Sequence, residues 1–226
     1  MKDDTEFQMQ PQTSDDGTAM EWARKTSKEF AKLMSYYRCA MLEMETRFNV
    51  LNEEYLLEYG RSPINTVKSR LKTLSSLQEK AKRRNVPFTI DAIEDNINDN
   101  AGVRVICVFP EDVYTIADAL LQQDDIILIK KKDYIASPKT NGYRSLHLIV
   151  AVPVFLSTGK RMTKVEIQIR TIAMDFWASL EHQLRYKQNT TFTEEMAQEL
   201  YECAQLSAAL DTRMDNLRKS VKGNHE

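Results

Sequence analysis

Apolar residues follow two different periods along this 226-residue chain, and the change between them separates helical from strand-forming segments. From about residue 20 to 58 they recur every three or four positions, which is the spacing of one helix face. Seven of them form a heptad-like seam: Met34, Tyr37, Met41, Met44, Phe48, Leu51 and Tyr55. The seam fits either the protein's own core or an interface between helices. Gly60 is expected to end this helix, and the polar, aperiodic residues 1–17 are expected to be a disordered tail.

The rest of the chain alternates between helix and strand patterns. Ser62 and Pro63 are typical of a helix start, so a second helix is predicted from Ser62 to about Arg84, and Thr89 is expected to cap a short third one. Strands are predicted at AGVRVICVF, IILIKKKDYI, residues 145–153 and TKVEIQIRT, and further helices at 110–123, 172–187 and 193–221. This order indicates an α+β protein with one mixed β-sheet of four to five strands flanked by helices.

Basic and polar residues recur at helical spacing in the predicted second helix: Lys72, Ser76, Lys80 and Arg83, with Arg70 beside them. No acidic residue lies on that face, and a row of like charges without partners costs stability. A bound polyphosphate would neutralise the row. A solvated helix face is the alternative, and the helix alone favours neither.

The strand VEIQIR has one apolar face and one polar face, the latter formed by Glu166, Gln168 and Arg170. A strand in a sheet interior rarely has such a face unless it lines a cleft. Asp99 stands just before the strand AGVRVICVF, and Arg104 is expected on the same polar face. Asp99 and Glu166 would suit Mg²⁺, which takes one or two carboxylates together with phosphate oxygens and water. Salt bridges from Arg104 and Arg170 to the two carboxylates are the alternative, and spacing does not separate the two.

The segment SPKTNGYRSLHLI passes from a turn into a strand and has an unusual concentration of basic and aromatic groups. Pro138, Asn141 and Gly142 are turn formers. The basic and aromatic residues around them are Lys139, Tyr143, Arg144 and His147. Together with the carboxylate pair and the basic helix face, they point to nucleotide polyphosphate chemistry. No P-loop or dinucleotide-binding glycine motif is present, so the site is expected to be of another kind.

The composition limits the possible partners. A net charge of −2 argues against broad electrostatic binding of nucleic acid, and no apolar run is long enough to span a membrane. The acidic, polar N-terminus does not resemble a signal peptide. The three cysteines are widely spaced and lack a metal-binding pattern. We therefore expect a cytoplasmic protein with reduced thiols.

Four segments in this order resemble the synthetase domain of the RelA/SpoT family: SRLKTLSSLQEKAKRR, DNAGVRVICVF, DYIASPKTNGYRSLHL and VEIQIRTIAMDFWASLEH. The resemblance covers roughly residues 30–215. The chain's length makes it similar to a stand-alone small alarmone synthetase of the RelP/RelQ type. The resemblance implies a nucleotidyltransferase-like fold, with the synthetase domain at 18–190 and an oligomerisation helix at 191–226 in a homotetramer.

The resemblance also implies an activity and a set of site residues. Such enzymes transfer pyrophosphate from ATP to the 3′-hydroxyl of GTP or GDP and release AMP. The residues implied for ATP are Arg70, Lys72, Ser76, Lys80, Arg83 and Arg104. Those implied for GTP or GDP are Lys132, Lys139, Asn141, Tyr143, His147, Gln168 and Asp175, with Tyr143 stacking on guanine. Asp99 and Glu166 would be the catalytic pair and hold Mg²⁺, with Glu166 also the base, and no nucleic acid would be required.

Two positions depart from the family pattern. Asn100 follows the metal-binding aspartate, where the family usually has Ile or Val, and Asp175 stands where some relatives have Asn facing guanine. Two rival functions remain at this point: a non-catalytic nucleotide sensor of the same fold, and a template-independent nucleotidyltransferase. The carboxylate pair argues against the sensor, and the near-neutral charge argues against an RNA substrate.

Overall fold

The computed structural model describes residues 16–186 and 192–223. Its first element is helix α1 (Asp16–Tyr59). Gly60 ends the helix as predicted, with φ at +65° and its N–H bonded to the Leu56 carbonyl oxygen at 3.0 Å. Of the predicted disordered tail, residues 1–15 lie outside the described residues, and 16 and 17 belong to α1.

The remaining elements form one five-stranded sheet with helices around it. They are β1 (Ile64–Leu71), α2 (Leu74–Arg83), α3 (Ile90–Asn96), β2 (Ala101–Cys107), α4 (Pro110–Leu121), β3 (Ile127–Asp133), β4 (Leu146–Leu156), β5 (Gly159–Thr171), α5 (Ile172–Tyr186) and α6 (Glu194–Gly223). The strand order is β1-β2-β5-β4-β3. Only β2 and β5 are parallel, so the predicted mixed sheet is confirmed. Within the described residues, no helix is long and apolar enough to cross a membrane.

The helix predicted from Ser62 to Arg84 is wrong over its first half. Residues Ile64–Leu71 form the edge strand β1, which pairs antiparallel with β2, and the helix α2 begins only at Leu74. Thr73 is the actual cap, because its side-chain oxygen accepts a hydrogen bond from the Ser76 N–H at 3.3 Å. The β-branched residues of β1 and the free edge of β2 outweigh the helix-start signal at Ser62–Pro63.

The seam of α1 packs on the chain's own sheet. Tyr37, Met41, Met44, Phe48 and Leu51 are all at most 6% exposed and lie in one core cluster with residues of β2, β4 and β5. The apolar face of β5 meets this helix, with Val165, Ile167 and Ile169 fully buried. Packing of this seam on neighbouring subunits, which the family resemblance favoured, is therefore wrong. The buried face of α1 thus belongs to the core beneath it, while other apolar residues of the helix, such as Leu42 and Leu57, are exposed.

Candidate active site

The opposite face of the sheet is polar, and the strand register places its groups in two rows. The first row crosses all five strands in the order Arg70, Gly102, Glu166, Ile149 and Lys130. The second row, one pleat along, contains Lys68, Arg104, Gln168, His147 and Lys132. Because side chains alternate between sheet faces, both rows lie opposite the face that α1 covers. The predicted sharing of one face by Arg104 and Glu166 is confirmed.

Two cavities open on this face and meet at the same two carboxylates. The first, of about 460 Å³, we call the Arg70 cavity; its lining includes Arg70, Lys72, Gly102, Arg104 and Gln168. The second, of about 320 Å³, we call the Lys132 cavity; its lining includes Lys80, Lys132, Tyr134, Lys139 and His147. Asp99 and Glu166 line both cavities. Two polyanions bound side by side would therefore share one pair of carboxylates, with cations on either side.

Asp99 is the centre of a charged cluster. Its Oδ2 accepts a hydrogen bond from Lys72 Nζ at 2.8 Å and another from Lys80 Nζ, so one side chain from each cavity bonds the same oxygen. Burial alone would raise the pKa of Asp99, but the two lysines outweigh it and hold this pKa below its ordinary value. The second oxygen, Oδ1, is buried and has no hydrogen-bond partner. An ionised carboxylate with a free buried oxygen suits a cation.

Glu166 lies on β5 between the two cavities. Its Oε2 accepts a hydrogen bond from Gln168 Nε2 at 3.0 Å, and its Oε1 lies 3.6 Å from Nδ1 of His147. Burial would raise the pKa of Glu166, but the contacts with His147 and Gln168 outweigh it and lower this pKa. Among the described residues no group of three His, Cys, Asp or Glu side chains is placed to hold a metal ion, so a metal here would rest on Asp99 and Glu166. That donor set fits Mg²⁺, which takes few protein ligands when it binds phosphates.

The loop of residues 137–145, which we call the acceptor loop, closes the Lys132 cavity. Lys139 Nζ lies 4.7 Å from the ring centre of Tyr134 and 4.6 Å from that of Tyr143. The Tyr143 hydroxyl is 2.8 Å from His147 Nε2, and burial raises the pKa of Tyr143. The side chain of Asn141 faces away from the cavity, because its Nδ2 donates to Glu181 Oε1 on α5 at 3.2 Å. The loop thus presents the Lys139 cation to the cavity, and Tyr143 lies behind it against His147.

Arg104 and Arg170, two arginines of the polar face, do not pair with Asp99 or Glu166. Arg104 Nη1 lies 3.3 Å and Arg170 Nη1 lies 3.5 Å from Oδ1 of Asp175 on α5, while Arg170 Nη2 donates to Gln168 Oε1 at 2.6 Å. The alternative in which Arg104 and Arg170 form salt bridges with Asp99 and Glu166 is therefore wrong. Asp175 pairs with both arginines beside the site, so neither arginine occupies Asp99 or Glu166.

A model of one protein family, described as a region found in RelA/SpoT proteins, matches residues 69–191. The chain is also 41% identical over 204 residues to the GTP pyrophosphokinase YwaC of Bacillus subtilis, an alignment that covers 90% of this chain and 97% of that protein. It is 35% identical to the GTP pyrophosphokinase YjbM of the same organism, over 86% of this chain and 91% of that one. The chain belongs to the RelA/SpoT family.

Solved structures agree with this assignment. The small alarmone synthetase 1 of Bacillus subtilis bound to its product pppGpp superposes with a TM-score of 0.78 at 34% identity, covering 86% of this chain and 98% of that one. The small alarmone synthetase 2 of the same organism gives a TM-score of 0.78 at 41% identity, covering 85% and 99%. The fold is thus that of the small alarmone synthetases of the RelA/SpoT family.

Asn100, the departure from the usual RelA/SpoT pattern, is buried directly beside Asp99 in the sequence. Its Nδ2 donates to the Tyr37 hydroxyl and to the Ile97 carbonyl oxygen, both at 2.9 Å. Its own carbonyl oxygen accepts the N–H of Lys72 at 2.9 Å. The side-chain amide therefore ties the Asp99 loop to Tyr37 of helix α1, which an Ile or Val side chain could not do through a hydrogen bond. The bond to Lys72 comes from the backbone carbonyl and does not depend on the side chain.

The structure separates the residues that the RelA/SpoT resemblance implied for the site. Ser76, Arg83, Asn141, Tyr143 and Asp175 line neither cavity, although Tyr143 reaches the Lys132 cavity through His147. Lys72 and Lys80, predicted on one helix face, reach Asp99 from different places: Lys72 from the connection between β1 and α2, and Lys80 from α2. Cavity residues that sequence reasoning missed are Lys68, Ser69, Arg84, Asn98, Lys130 and Tyr134. The alternation of Lys130 and Lys132 on a strand could have revealed one of them.

Proposed function

We propose that this protein is a (p)ppGpp synthetase, a GTP diphosphokinase that transfers pyrophosphate from ATP to the 3′-hydroxyl of GTP or GDP and releases AMP. The observation that carries the proposal is the pair of cation-lined cavities that share Asp99 and Glu166. A transfer between two nucleotides requires both to be bound at once, with the reacting atoms at a common boundary. Membership of the RelA/SpoT family and similarity to two GTP pyrophosphokinases support it.

We assign ATP to the Arg70 cavity and the guanine nucleotide to the Lys132 cavity. Arg70 and Arg104 offer planar cations for the ATP base or phosphates, and Lys72 lies at the boundary with the second cavity. On the other side Lys132, Lys139 and His147 would contact the acceptor's phosphates and ribose, while Tyr143 would stack on guanine. Ser76, Arg83, Asn141 and Asp175 remain proposed nucleotide contacts that would require movement on binding.

In the proposed reaction the 3′-oxygen of GTP or GDP forms a bond to the β-phosphorus of ATP, and the bond from that phosphorus to the α,β-bridging oxygen breaks. AMP leaves with the bridging oxygen, and Glu166 takes the proton of the 3′-hydroxyl. The lowered pKa of Glu166 keeps it ionised and able to accept that proton at neutral pH. Lys72 and Lys80 neutralise charge on the transferred group. Mg²⁺, held by Asp99 and Glu166, would supply further charge neutralisation on the phosphates.

Purified protein incubated with ATP, Mg²⁺ and GTP or GDP, without RNA or DNA, tests this function when the nucleotides are separated by anion-exchange chromatography. We expect AMP and a guanosine penta- or tetraphosphate in equal amounts. Binding of both nucleotides without turnover would favour the sensor of the same fold. Release of pyrophosphate with adenylate on the acceptor would favour a nucleotidyltransferase. Since the substrates are cytoplasmic nucleotides, the proposed place of action is the cytoplasm.

We further propose a homotetramer in which α6 forms part of the interface. Helix α6 exposes Leu206, Leu210 and Met214 by 50% or more, beside Phe176 of α5 at 65%. They line an apolar groove of about 700 Å³. Exposed apolar surface of this extent is typical of protein interfaces, and the family resemblance favours a second copy of the chain as the occupant.

Light scattering of the double variant Leu206→Asp and Leu210→Asp tests this assembly. The wild type should have the mass of a tetramer, and the variant should dissociate into smaller species with an unchanged circular dichroism spectrum. Exposed positions of α1, such as Leu42→Asp, provide the control that should leave the tetramer intact. A wild type at monomer mass would contradict the proposal, as would a tetramer that survives both substitutions in α6.

A further inference from the structure

The acceptor loop rests directly on helix α6, where Gly142 faces the small side chain of Ala204. Gly142 is buried and has φ at +85°, a conformation that residues with a Cβ rarely adopt. A Cβ built on Gly142 would lie 2.5 Å from Cβ of Ala204 and 3.4 Å from a ring carbon of Tyr201. Both partners are on α6. The loop backbone and the helix therefore approach as closely as a glycine facing an alanine permits.

The position of helix α6 is in turn fixed by hydrogen bonds to α5. The indole Nε1–H of Trp177 donates to the Leu200 carbonyl oxygen at 2.8 Å, and Ser207 Oγ donates to the Ala173 carbonyl oxygen at 3.0 Å. Trp177, Ala178, Leu200 and Ala204 form a small buried cluster separate from the main core, and Tyr143 packs against it. Tyr143, the residue proposed to stack on guanine, thus packs against side chains of both α5 and α6.

The sequence gives no hint of this role for α6. The family model ends at residue 191, before the helix begins, and the family resemblance implied only an oligomerisation helix. Yet α6 contributes Ala204 and Tyr201 to the back of the acceptor loop, whose Lys139 lines the Lys132 cavity, although no residue of α6 lines either cavity. A change at Ala204 should therefore affect one substrate and not the other.

We propose that Ala204 is a positioning residue for the guanine nucleotide: its small side chain lets the acceptor loop settle on α6 and so sets the place of Tyr143. The proposal rests on the acceptor role assigned above to this loop. A larger side chain at position 204 has to push the Gly142 backbone away from α6. Tyr143 is the next residue, so its ring and its hydrogen bond to His147 would move with the backbone.

The test compares Ala204→Leu with two controls. Ala204→Ser keeps the small volume, and Ala209→Leu makes the same enlargement on an exposed part of the same helix outside the apolar groove. Calorimetry with GDP, and separately with a non-hydrolysable ATP analogue, measures each nucleotide without turnover. We expect Ala204→Leu to lower the affinity for GDP by about five- to a hundredfold, as loss of stacking on one base would. The affinity for the ATP analogue should not change. Both controls should bind GDP like the wild type.

Hydrogen exchange of the protein without ligand provides a readout that does not depend on the reaction. Amides of the acceptor loop should exchange faster in Ala204→Leu than in the wild type or in Ala209→Leu. Wild-type GDP affinity and unchanged loop exchange in Ala204→Leu would overturn the role of Ala204 alone. Equal weakening of GDP and of the ATP analogue would show a global effect and overturn it as well. A wild type that binds the ATP analogue but no guanine nucleotide would overturn the acceptor role itself.

A second pair of variants covers the case in which Ala204→Leu does not fold. Gly142→Ala places a methyl group in the same contact from the side of the loop and should weaken GDP in the same selective way. Adding Ala204→Gly removes the methyl group it would meet, so the double variant should recover part of the GDP affinity. Absence of any recovery would show that the contact between the loop and α6 is not what sets the affinity.

Discussion

The hydroxyl of Tyr143 lies 2.8 Å from Nε2 of His147, and Nδ1 of the same imidazole lies 3.6 Å from Oε1 of Glu166. One histidine side chain therefore connects the ring proposed to stack on guanine with the carboxylate proposed to take the proton. This chain of contacts fixes the distance between the base-binding and the reacting parts of the site. A nucleotide held at one end would have its ribose directed to the other.

Substitution of Tyr143 should weaken the binding of the guanine nucleotide and leave the binding of ATP nearly unchanged. Tyr143→Ala should weaken GTP and GDP by about 1–3 kcal/mol, the range for loss of stacking on a base, and leave ATP nearly unchanged. Tyr143→Phe keeps the ring and loses only the contact with His147, so it should retain most of the affinity. Binding constants measured for each nucleotide separately provide the check. A parallel loss for ATP and GTP in Tyr143→Ala would give Tyr143 a structural role instead.

Glu166→Gln should stop the transfer while ATP still binds, because the substitution removes the base and a metal ligand but hardly changes the volume. Loss of a general base alone lowers the rate by about 10²–10⁴-fold. Rates of AMP formation and the affinity for an ATP analogue are the two measurements. A variant that keeps more than roughly a tenth of the wild-type rate would show that Glu166 is not the base.

Asp99 should give the metal-free protein a stability that depends on pH. Its pKa in the folded protein lies below the ordinary value of 3.8, so its contribution is present above that value and is lost as the pH falls through the folded-state pKa. Asp99→Asn also leaves Lys72 and Lys80 without their shared partner. The melting temperature of the wild type should exceed that of Asp99→Asn at neutral pH, and the difference should shrink in acid. A difference that is constant with pH would contradict the ionised cluster.

The packing of α1 predicts at which positions substitution by alanine lowers the stability of the protein. Met44 is fully buried against the sheet, so Met44→Ala should cost about 2–5 kcal/mol of unfolding free energy. Leu42 lies on the same helix and is 57% exposed, so Leu42→Ala should change the free energy by less than about 0.5 kcal/mol. Urea denaturation followed by circular dichroism compares them. If Met44→Ala dissociated an oligomer without loss of stability, the seam would belong to an interface after all.

Much of the fold could be predicted from local pattern. The alternation in β5, the cap at Thr89 and the stop at Gly60 are all signals within a few residues, and each is found as predicted. Edge strand β1 could not be predicted in this way. A helix-start signal at Ser62–Pro63 precedes residues 64–71, and the pairing that makes them a strand is with β2, some 35 residues on in the chain.

Period-2 alternation could predict that Arg104, His147 and Glu166 lie on one face of the sheet, because they belong to β2, β4 and β5. It could not place Asp99, Lys72 and Lys80, which lie outside the strands, or Arg70, whose strand was predicted as a helix. The division into two cavities could not be predicted either. It depends on the strand order β1-β2-β5-β4-β3, which places Arg70 and Lys132 at opposite edges of the sheet with Glu166 between them. The support of the acceptor loop by Ala204 depends on a contact across more than sixty residues of sequence, which no local pattern contains.

The most direct test of the proposed reaction follows the phosphates of ATP individually. ATP labelled in its β- and γ-phosphates, and separately in its α-phosphate, is incubated with the protein, Mg²⁺ and either GTP or 3′-deoxy-GTP. The account predicts that both terminal phosphates appear together on GTP, that the α-label appears only in AMP, and that 3′-deoxy-GTP receives nothing. Labelled 3′-deoxy-GTP, α-label on the acceptor, or ADP in place of AMP would contradict pyrophosphate transfer at this site.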